Sequence, residues 1–172
     1  LVVLVVIVIL AVFLRLYKLD QVPPSLSWDE AAVGYNAWSI ANFGKDEVGK
    51  IFPPYFTSFL DDKHPVHIYI TAISVKLLGL NEFSTRLPAA VFGVFNVILM
   101  FFLGRLLFKS NLAGLIGAVV LAISPYNLQF SRFNHELNFA IFFFMLGLTL
   151  FLQGLKSKNY LIALSFLSFG IC

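Results

Sequence analysis

The residues of this sequence that could do chemistry lie in short polar stretches between long apolar runs. Eight acidic and basic residues are the candidates: Asp29, Glu30, Lys63, His64, Arg86, Arg132, His135 and Glu136. A carboxylate can accept a proton from a hydroxyl group, and lysine or arginine can stabilise negative charge that develops on a leaving group. Charged groups beside lipid cost several kcal/mol unless they are paired, so their clustering at the ends of apolar runs indicates a functional site.

Some of these residues also fit purely structural roles. The segment Ser27-Trp-Asp-Glu matches a capping box, with Ser27 as the helix N-cap and Glu30 three residues later. Such a cap does not exclude a second role for Asp29. Lys63 and Arg86 could be interfacial residues that extend their charged ends toward water.

The turn near residue 132 has a similar alternative. Arg132 and Glu136 are four residues apart and would form a simple ion pair if that turn were helical. A single histidine such as His135 is more often hydrogen-bonded at an interface than a ligand. The spacing indicates no zinc site, and a divalent cation at Asp29 or Glu136 remains open because no complete ligand set is visible.

The composition places these residues in a membrane protein. Of the 172 residues, 59% are hydrophobic and only 12% are charged, whereas soluble domains have about 25% charged residues. Backbone groups in lipid must be satisfied within each segment, so we expect an all-α, multi-pass transmembrane helical bundle. The net charge of +3 is small and scattered, which does not favour nucleic acid as a partner.

Five apolar runs are candidate membrane spans, since about 20 residues are needed to cross the hydrocarbon core. The complete runs are 88–108, 112–130 and 137–155. The runs 1–16 and 160–172 are partial spans at the two ends. We therefore expect the N-terminal part of a single transmembrane domain that continues beyond both ends.

The remaining long segment, residues 18–87, is the predicted outer loop. Within it, 29–43 has the pattern of a short amphipathic helix, and 66–78 has that of a second short helix. Both are expected to lie flat at the membrane surface. The alternative for 66–78 is a true membrane span.

Charge asymmetry predicts which side carries the polar residues. Short cytoplasmic loops are rich in Lys and Arg. Arg105 and Lys109 lie in one such turn, and Lys156 and Lys158 lie in another. If both turns are cytoplasmic and the second surface helix does not cross, the outer loop and the turn at 131–136 face the extracytoplasmic side together.

The order of the polar motifs resembles a known family. The motifs are Trp28-Asp29-Glu30, Asp62-Lys63-His64-Pro65, Arg86-Leu87-Pro88, Ser131-Arg132 and Glu136. This order is similar to the N-terminal region of the polyprenyl-phosphate-sugar-dependent glycosyltransferases of the GT-C class. The nearest group is the dolichyl-phosphate-mannose protein mannosyltransferases and their bacterial relatives, including the aminoarabinose lipid A transferases. Two positions differ: His64 replaces a common second proline, and the acid follows Arg132 by four residues instead of five.

The resemblance implies an inverting glycosyltransferase in the plasma membrane. Such an enzyme moves a sugar from a polyprenyl-phosphate donor to an acceptor hydroxyl on a protein, lipid or glycan, on the outer face. Asp29 would be the general base, and Glu30 would support or cap it. Lys63 would contact the donor phosphate. The other expected substrate-binding residues are Arg86 or Arg132 on the phosphate, with His64, His135 and Glu136 nearby.

A protein of another class is the main alternative. An inactive relative that binds glycolipid is a further alternative, which a sugar-transfer assay separates from the enzyme. A transporter, flippase or non-catalytic membrane subunit would carry charges near the middle of the bilayer. The middle of each complete predicted span lacks acidic and basic residues. This pattern favours the enzyme.

Overall fold

The computed structural model describes residues 2–156 and 159–172. The helices are α1 (Val2–Leu16), α2 (Trp28–Phe43), α3 (Pro65–Leu78), α4 (Glu82–Phe108), α5 (Asn111–Ile123), α6 (Pro125–Arg132), α7 (Glu136–Gly154) and α8 (Asn159–Ile171). Two short strands, β1 (Phe56–Ser58) and β2 (Asp61–Lys63), form an antiparallel hairpin. The predicted all-α membrane architecture is confirmed. Leu1, part of the predicted run 1–16, and Lys158, part of a predicted cytoplasmic turn, lie outside the described residues.

Helix α4 is the centre of the bundle and packs against α1, α3, α5, α6 and α7. Asn81 starts it with a capping box, in which its side chain accepts a hydrogen bond from the Ser84 N–H at 2.8 Å. Its 27 residues extend for about 40 Å at 1.5 Å per residue. This length exceeds the ~30 Å hydrocarbon core of a bilayer.

Small residues let the helices of the bundle approach closely. In lipid there is little hydrophobic drive between helices, so tight van der Waals packing carries much of their association. A Cβ on Gly114 of α5 would lie 2.5 Å from the Phe101 carbonyl oxygen of α4, so glycine is required there. The buried cluster that joins α1, α4 and α5 consists of Leu4, Ile7, Ala11, Val97, Phe101, Ala118 and Ala122.

Two of the predicted spans are confirmed as helices long and apolar enough to cross a membrane. These are α4, which starts six residues before the predicted 88, and α7, which matches 137–155 closely. Helices α1 and α8 are apolar but shorter, with 15 and 13 residues. The predicted runs at the two ends are therefore helical over most of their length.

The predicted span 112–130 is not one continuous helix, although its two helices together are long and apolar enough for a broken span or a re-entrant loop. The chain breaks between α5 and α6, and the two helices are bent by 58°. The cause is Pro125, since a proline disfavours the helical conformation of the preceding residue. Ser124 accordingly has a ψ of 120°, and its side chain caps α6 by accepting from the Asn127 N–H at 3.5 Å.

The polar segment between α1 and α4 folds into a layer made of α2, α3 and the hairpin. The predicted helices 29–43 and 66–78 are confirmed as α2 and α3. Their shared core is Val33, Ala37, Ile40, Phe56, Ile68, Ala72 and Val75. At 14 residues, or about 21 Å, α3 is too short to cross the bilayer as a straight helix. Its placement flat on the membrane remains a prediction.

Candidate functional site

Some of the polar motifs of the sequence meet at one narrow cleft of about 40 Å³. It lies between the first turn of α2, strand β2, the start of α3 and the turn that joins α6 to α7. Its lining residues are Asp29, Val33, Asp61, Lys63, His67, Asn134, His135 and Glu136. The structure therefore brings together residues more than 100 positions apart in the sequence, including the predicted Asp29, Lys63, His135 and Glu136.

The shortest ion pair in the cleft joins Lys63 and Asp29. Lys63 Nζ donates to Asp29 Oδ1 at 2.6 Å and to Asp61 Oδ2 at 3.3 Å. The lysine side chain is 8% exposed, whereas the Asp29 side chain is 38% exposed. Burial opposes the charge of Lys63, but the hydrogen bonds and charges of Asp29 and Asp61 outweigh it and raise the pKa of Lys63. The lysine therefore stays protonated at neutral pH and presents a fixed positive charge.

Glu30, the next residue, is directed away from the cleft into the protein. Its carboxylate is 1% exposed and accepts from Arg86 Nε at 2.8 Å and Arg86 Nη2 at 3.2 Å. The capping box is confirmed: the Glu30 N–H donates to Ser27 Oγ, and the Ser27 N–H donates to the Glu30 carboxylate. The Asn134 N–H also donates to Glu30 at 3.3 Å. Glu30 thus holds α2, α4 and the α6–α7 turn in one arrangement.

The structure lends no support to the predicted contact between Arg86 and a substrate phosphate. Its side chain is fully buried, and it does not line the cleft. Besides Glu30, its guanidinium donates to the carbonyl oxygens of Leu19, Pro23 and Ser25. Five N–H groups of a guanidinium are thereby matched by five acceptors, which leaves no donor for a ligand.

Arg132 also makes structural contacts, and its predicted place on the phosphate remains a prediction. Its guanidinium donates to carbonyl oxygens at the end of α1 and in the following loop, at Leu14, Arg15, Tyr17, Lys18 and Val22. It does not line the cleft. The last carbonyls of a helix have no partner further along it, so Arg132 serves as a C-terminal cap of α1 and also ties the following loop to α6.

The structural alternative of an ion pair between Arg132 and Glu136 is not found among the described residues. Helix α6 ends at Arg132, and Phe133 and His135 have extended backbones. The turn is therefore not helical, whereas an ion pair between residues four apart needs a helical turn. Glu136 instead accepts a hydrogen bond from the His64 N–H at 2.9 Å. This contact joins the end of β2 to the start of α7.

His64 and His135 lie at the mouth of a second, larger cavity of about 270 Å³. His135 caps α7, since its Nδ1 accepts from the Leu137 N–H at 3.2 Å. The other lining residues are mostly apolar and come from α3, α7 and α8, with Val66, Leu137, Phe139, Ala140, Phe143 and Ile171. His67 lines both this apolar groove and the cleft. The groove therefore opens directly beside the charged residues.

The sequence reasoning did not select His67 or Asn134, which also line the cleft. It also did not select Arg15, which is fully buried and donates to Asn127 Oδ1 at 2.6 Å and to the Ala122 carbonyl at 3.2 Å. Arg15 thus satisfies a carbonyl that the break between α5 and α6 leaves open. A signal existed for Arg15, because a lone charge at the end of an apolar run needs a partner.

A metal site finds no support in the part of the chain that the structure describes. Residues 2–156 and 159–172 contain no group of three or more His, Cys, Asp or Glu side chains that could hold a metal ion. Asp29 is paired with Lys63, and Glu136 accepts from a backbone N–H.

Comparison with known proteins identifies the family. Residues 62–172 match the model of the family described as dolichyl-phosphate-mannose-protein mannosyltransferase. The "Putative mannosyltransferase YycA" of Bacillus subtilis (strain 168) is 29% identical over 153 residues, which cover 89% of this chain and 22% of that protein. The "Putative mannosyltransferase YkcB" of the same organism is 32% identical over 95 residues, covering 55% of this chain and 13% of that protein. No solved structure matches significantly.

The chain thus spans about a fifth of the length of the first of these relatives. The matched family range includes Lys63, His67, Asn134 and Glu136 of the cleft, while Asp29 precedes it. The match agrees with the order of motifs, with the apolar helices and with the charged cleft at their ends. The chain belongs to the dolichyl-phosphate-mannose-protein mannosyltransferase family.

Proposed function

We propose that the cleft is the catalytic centre of an enzyme that transfers a sugar from a polyprenyl-phosphate donor to an acceptor hydroxyl. The acceptor would be a protein, lipid or glycan, and the reaction would occur on the extracytoplasmic face of the plasma membrane by inversion. One observation carries the proposal. The partly exposed Asp29 carboxylate lies 2.6 Å from the buried Lys63 ammonium, beside the opening of an apolar groove.

Asp29 is the proposed general base. Its side chain is 38% exposed, so an acceptor hydroxyl can approach it, whereas Glu30 is closed off by Arg86. A carboxylate within hydrogen-bond reach takes the proton of the hydroxyl as the new glycosidic bond forms, and such transfer contributes about 10²–10⁴-fold to the rate. Glu30 fixes the first turn of α2 and so positions Asp29.

Lys63 is the proposed partner of the donor phosphate. Departure of polyprenyl phosphate adds negative charge to the leaving oxygen, and a preorganised ammonium group stabilises that charge. A phosphate would compete with Asp29 and Asp61 for the three N–H donors of Lys63. Donor binding would then loosen the Lys63–Asp29 pair and free the base when the second substrate is needed.

The apolar groove is the proposed binding place for the first isoprene units of the donor. Its depth is apolar, and His64, His135 and Glu136 form its polar mouth. Binding sites for amphipathic ligands combine an apolar lining with a few polar groups that fix orientation. The lipid phosphate at this mouth would lie beside Lys63 and within reach of His64 and His135.

A transfer assay with the full-length enzyme tests this proposal. Purified protein in liposomes is supplied with a labelled polyprenyl-phosphate sugar, and label in the product is measured per folded molecule. We expect Asp29→Asn to lower turnover by about 10²–10⁴-fold. Glu82→Gln is the matched control, because Glu82 is also an acid in the first turn of a helix but is exposed and outside the cleft.

Two results would contradict the proposal. One is wild-type protein that transfers no sugar from any polyprenyl-phosphate donor while still binding it, which would favour a non-catalytic glycolipid-binding protein. The other is Asp29→Asn protein with turnover close to that of the Glu82→Gln control.

A further inference from the structure

Two buried polar atoms on the floor of the cleft lack a hydrogen-bond partner within the protein. Among the described residues, three buried side-chain atoms are in this state: His67 Nδ1, Asn96 Oδ1 and Asn134 Oδ1. His67 and Asn134 line the cleft, and both are at most 2% exposed. A buried polar atom without a partner is unfavourable, because the hydrogen bond that it made to water in the unfolded chain is not replaced. Two such atoms at one cleft therefore point to a ligand.

Resting on the proposed function, we infer that His67 and Asn134 bind a hydroxyl group of the transferred sugar. The floor of the cleft would then hold the sugar through neutral hydrogen bonds, while Lys63 would hold the phosphate through charge. His67 and Asn134 would be specificity-determining residues of the donor site.

The chemistry of Asn134 determines what can bind there. Its Nδ2 group donates to the Thr85 carbonyl oxygen at 2.6 Å and to Thr71 Oγ1 at 2.8 Å. A backbone carbonyl can only accept, so the NH₂ group must face it, and the unpaired atom is the amide oxygen. This oxygen needs a ligand with an O–H or N–H group. An ionised phosphodiester has neither, whereas a sugar hydroxyl does.

His67 complements this acceptor without adding charge. Burial, followed by the neighbouring charges of His64, His135 and Lys63, lowers the pKa of His67 to about 3. The backbone of His64 opposes that shift, but Nδ1 has no hydrogen bond of acceptable geometry. A neutral imidazole has one N–H donor and one acceptor nitrogen. It can therefore donate to the oxygen of the same hydroxyl whose proton Asn134 accepts.

The size of the cleft is consistent with one hydroxyl rather than a whole sugar ring. Its volume of about 40 Å³ exceeds the ~10–15 Å³ needed for a water-sized group but leaves no room for a hexose. A more open pocket of about 440 Å³ lies next to it and shares Lys63 and Glu136. The ring would lie in this pocket, lined by Tyr55, Asp62 and His64, with one hydroxyl inserted into the cleft.

The experiment compares donors that differ by single hydroxyl groups. Full-length enzyme in liposomes is assayed with polyprenyl-phosphate mannose and with each of its monodeoxy analogues. We expect one analogue to have kcat/KM lowered by about 10–100-fold with the wild-type enzyme. Asn134→Leu should lower kcat/KM for the intact donor to about the value for this analogue. The discrimination, defined as the ratio of kcat/KM for the intact donor to kcat/KM for the analogue, then falls to about one. His67→Leu, which keeps the hydrogen bonds of Asn134, should lower the discrimination in the same direction.

Asn96→Leu is the matched control. Asn96 is a buried asparagine whose Oδ1 also lacks a partner, but it lies on α4, donates to Asn138 and does not line the cleft. It should keep the wild-type discrimination even if less protein folds. The inference is overturned if wild-type enzyme uses all deoxy donors about equally, or if the Asn134 and His67 variants keep the full discrimination. Absence of transfer from every donor by folded wild-type enzyme would instead overturn the proposed function and, with it, this assignment.

Discussion

Asp29 and Glu30 are neighbours in the sequence, yet their carboxylates lie in opposite environments. Glu30 pairs with Arg86, and both side chains are almost fully buried. Asp29 pairs with Lys63 but keeps 38% of its side chain exposed. The helical turn explains the difference, because consecutive residues on a helix do not share a face. One acid is therefore a structural anchor and the other is open to substrates.

Removal of the basic side chain should therefore affect stability differently in the two ion pairs. Loss of Arg86 leaves the buried Glu30 carboxylate without its counter-charge and three carbonyls without their Arg86 donors. Loss of Lys63 leaves Asp29 in contact with water.

The largest effect on stability is expected for Arg86→Met. Removing one partner of a buried ion pair typically costs about 3–5 kcal/mol in the free energy of unfolding. Lys63→Met should cost only about 1 kcal/mol, since its partner is partly solvated. Thermal unfolding in detergent, followed by size-exclusion chromatography, measures both. Equal losses in the free energy of unfolding for the two variants would contradict the distinction between a buried structural pair and a partly solvated one.

The next effect concerns activity at Lys63. We expect Lys63→Met to lower kcat/KM for a polyprenyl-phosphate donor by about 10²–10³-fold, because a preorganised positive charge at the leaving oxygen is lost. Lys76→Met is the control, since Lys76 is an exposed lysine on α3 that contacts Asn42 outside the cleft. Similar kinetics for the two variants would remove Lys63 from the phosphate site.

A smaller effect is expected from the protonation of His67. Its pKa is about 3 in the folded protein and about 6.5 when unfolded, so the unfolded state binds the extra proton between these values. The folded protein should thus lose stability as the pH falls below 6.5, by about 2 kcal/mol at pH 5. His67→Gln should lack this part of the loss. The free energy of unfolding, measured at pH 7.5 and pH 5 for both proteins, checks this; an identical pH dependence would be contrary to a neutral, buried histidine.

The sequence was sufficient to predict the helices that depend on local signals. Apolar length identified α4 and α7, and the Ser27 capping box located the start of α2. The break before Pro125 differs from the predicted continuous span, although the proline that causes it is a local signal. The apolar composition of 112–130 favours one span, whereas the proline favours the end of a helix. Length and hydropathy alone do not separate one straight span from two bent helices.

The roles of the arginines depend on long-range contacts and could not be read from spacing. Arg132 binds carbonyls 110–118 residues away, and Arg86 binds carbonyls 61–67 residues away. Nothing in the sequence shows that these backbone groups lie within reach. His67 and Asn134 carry no motif at all, and they are recognisable only because burial leaves their polar atoms without partners.

The division of labour between Asp29 and Glu30 can be tested in one measurement, turnover per folded molecule alongside thermal unfolding for Asp29→Asn and Glu30→Gln in the full-length enzyme. We expect Asp29→Asn to lower the unfolding temperature only slightly, because one partly solvated ion pair is lost, while turnover falls by about 10²–10⁴-fold. Glu30→Gln should lower the unfolding temperature, because buried Arg86 loses its counter-charge, and the molecules that remain folded should retain more turnover than Asp29→Asn. The reverse pattern, a stable but inactive Glu30→Gln enzyme beside an active Asp29→Asn enzyme, would contradict the account.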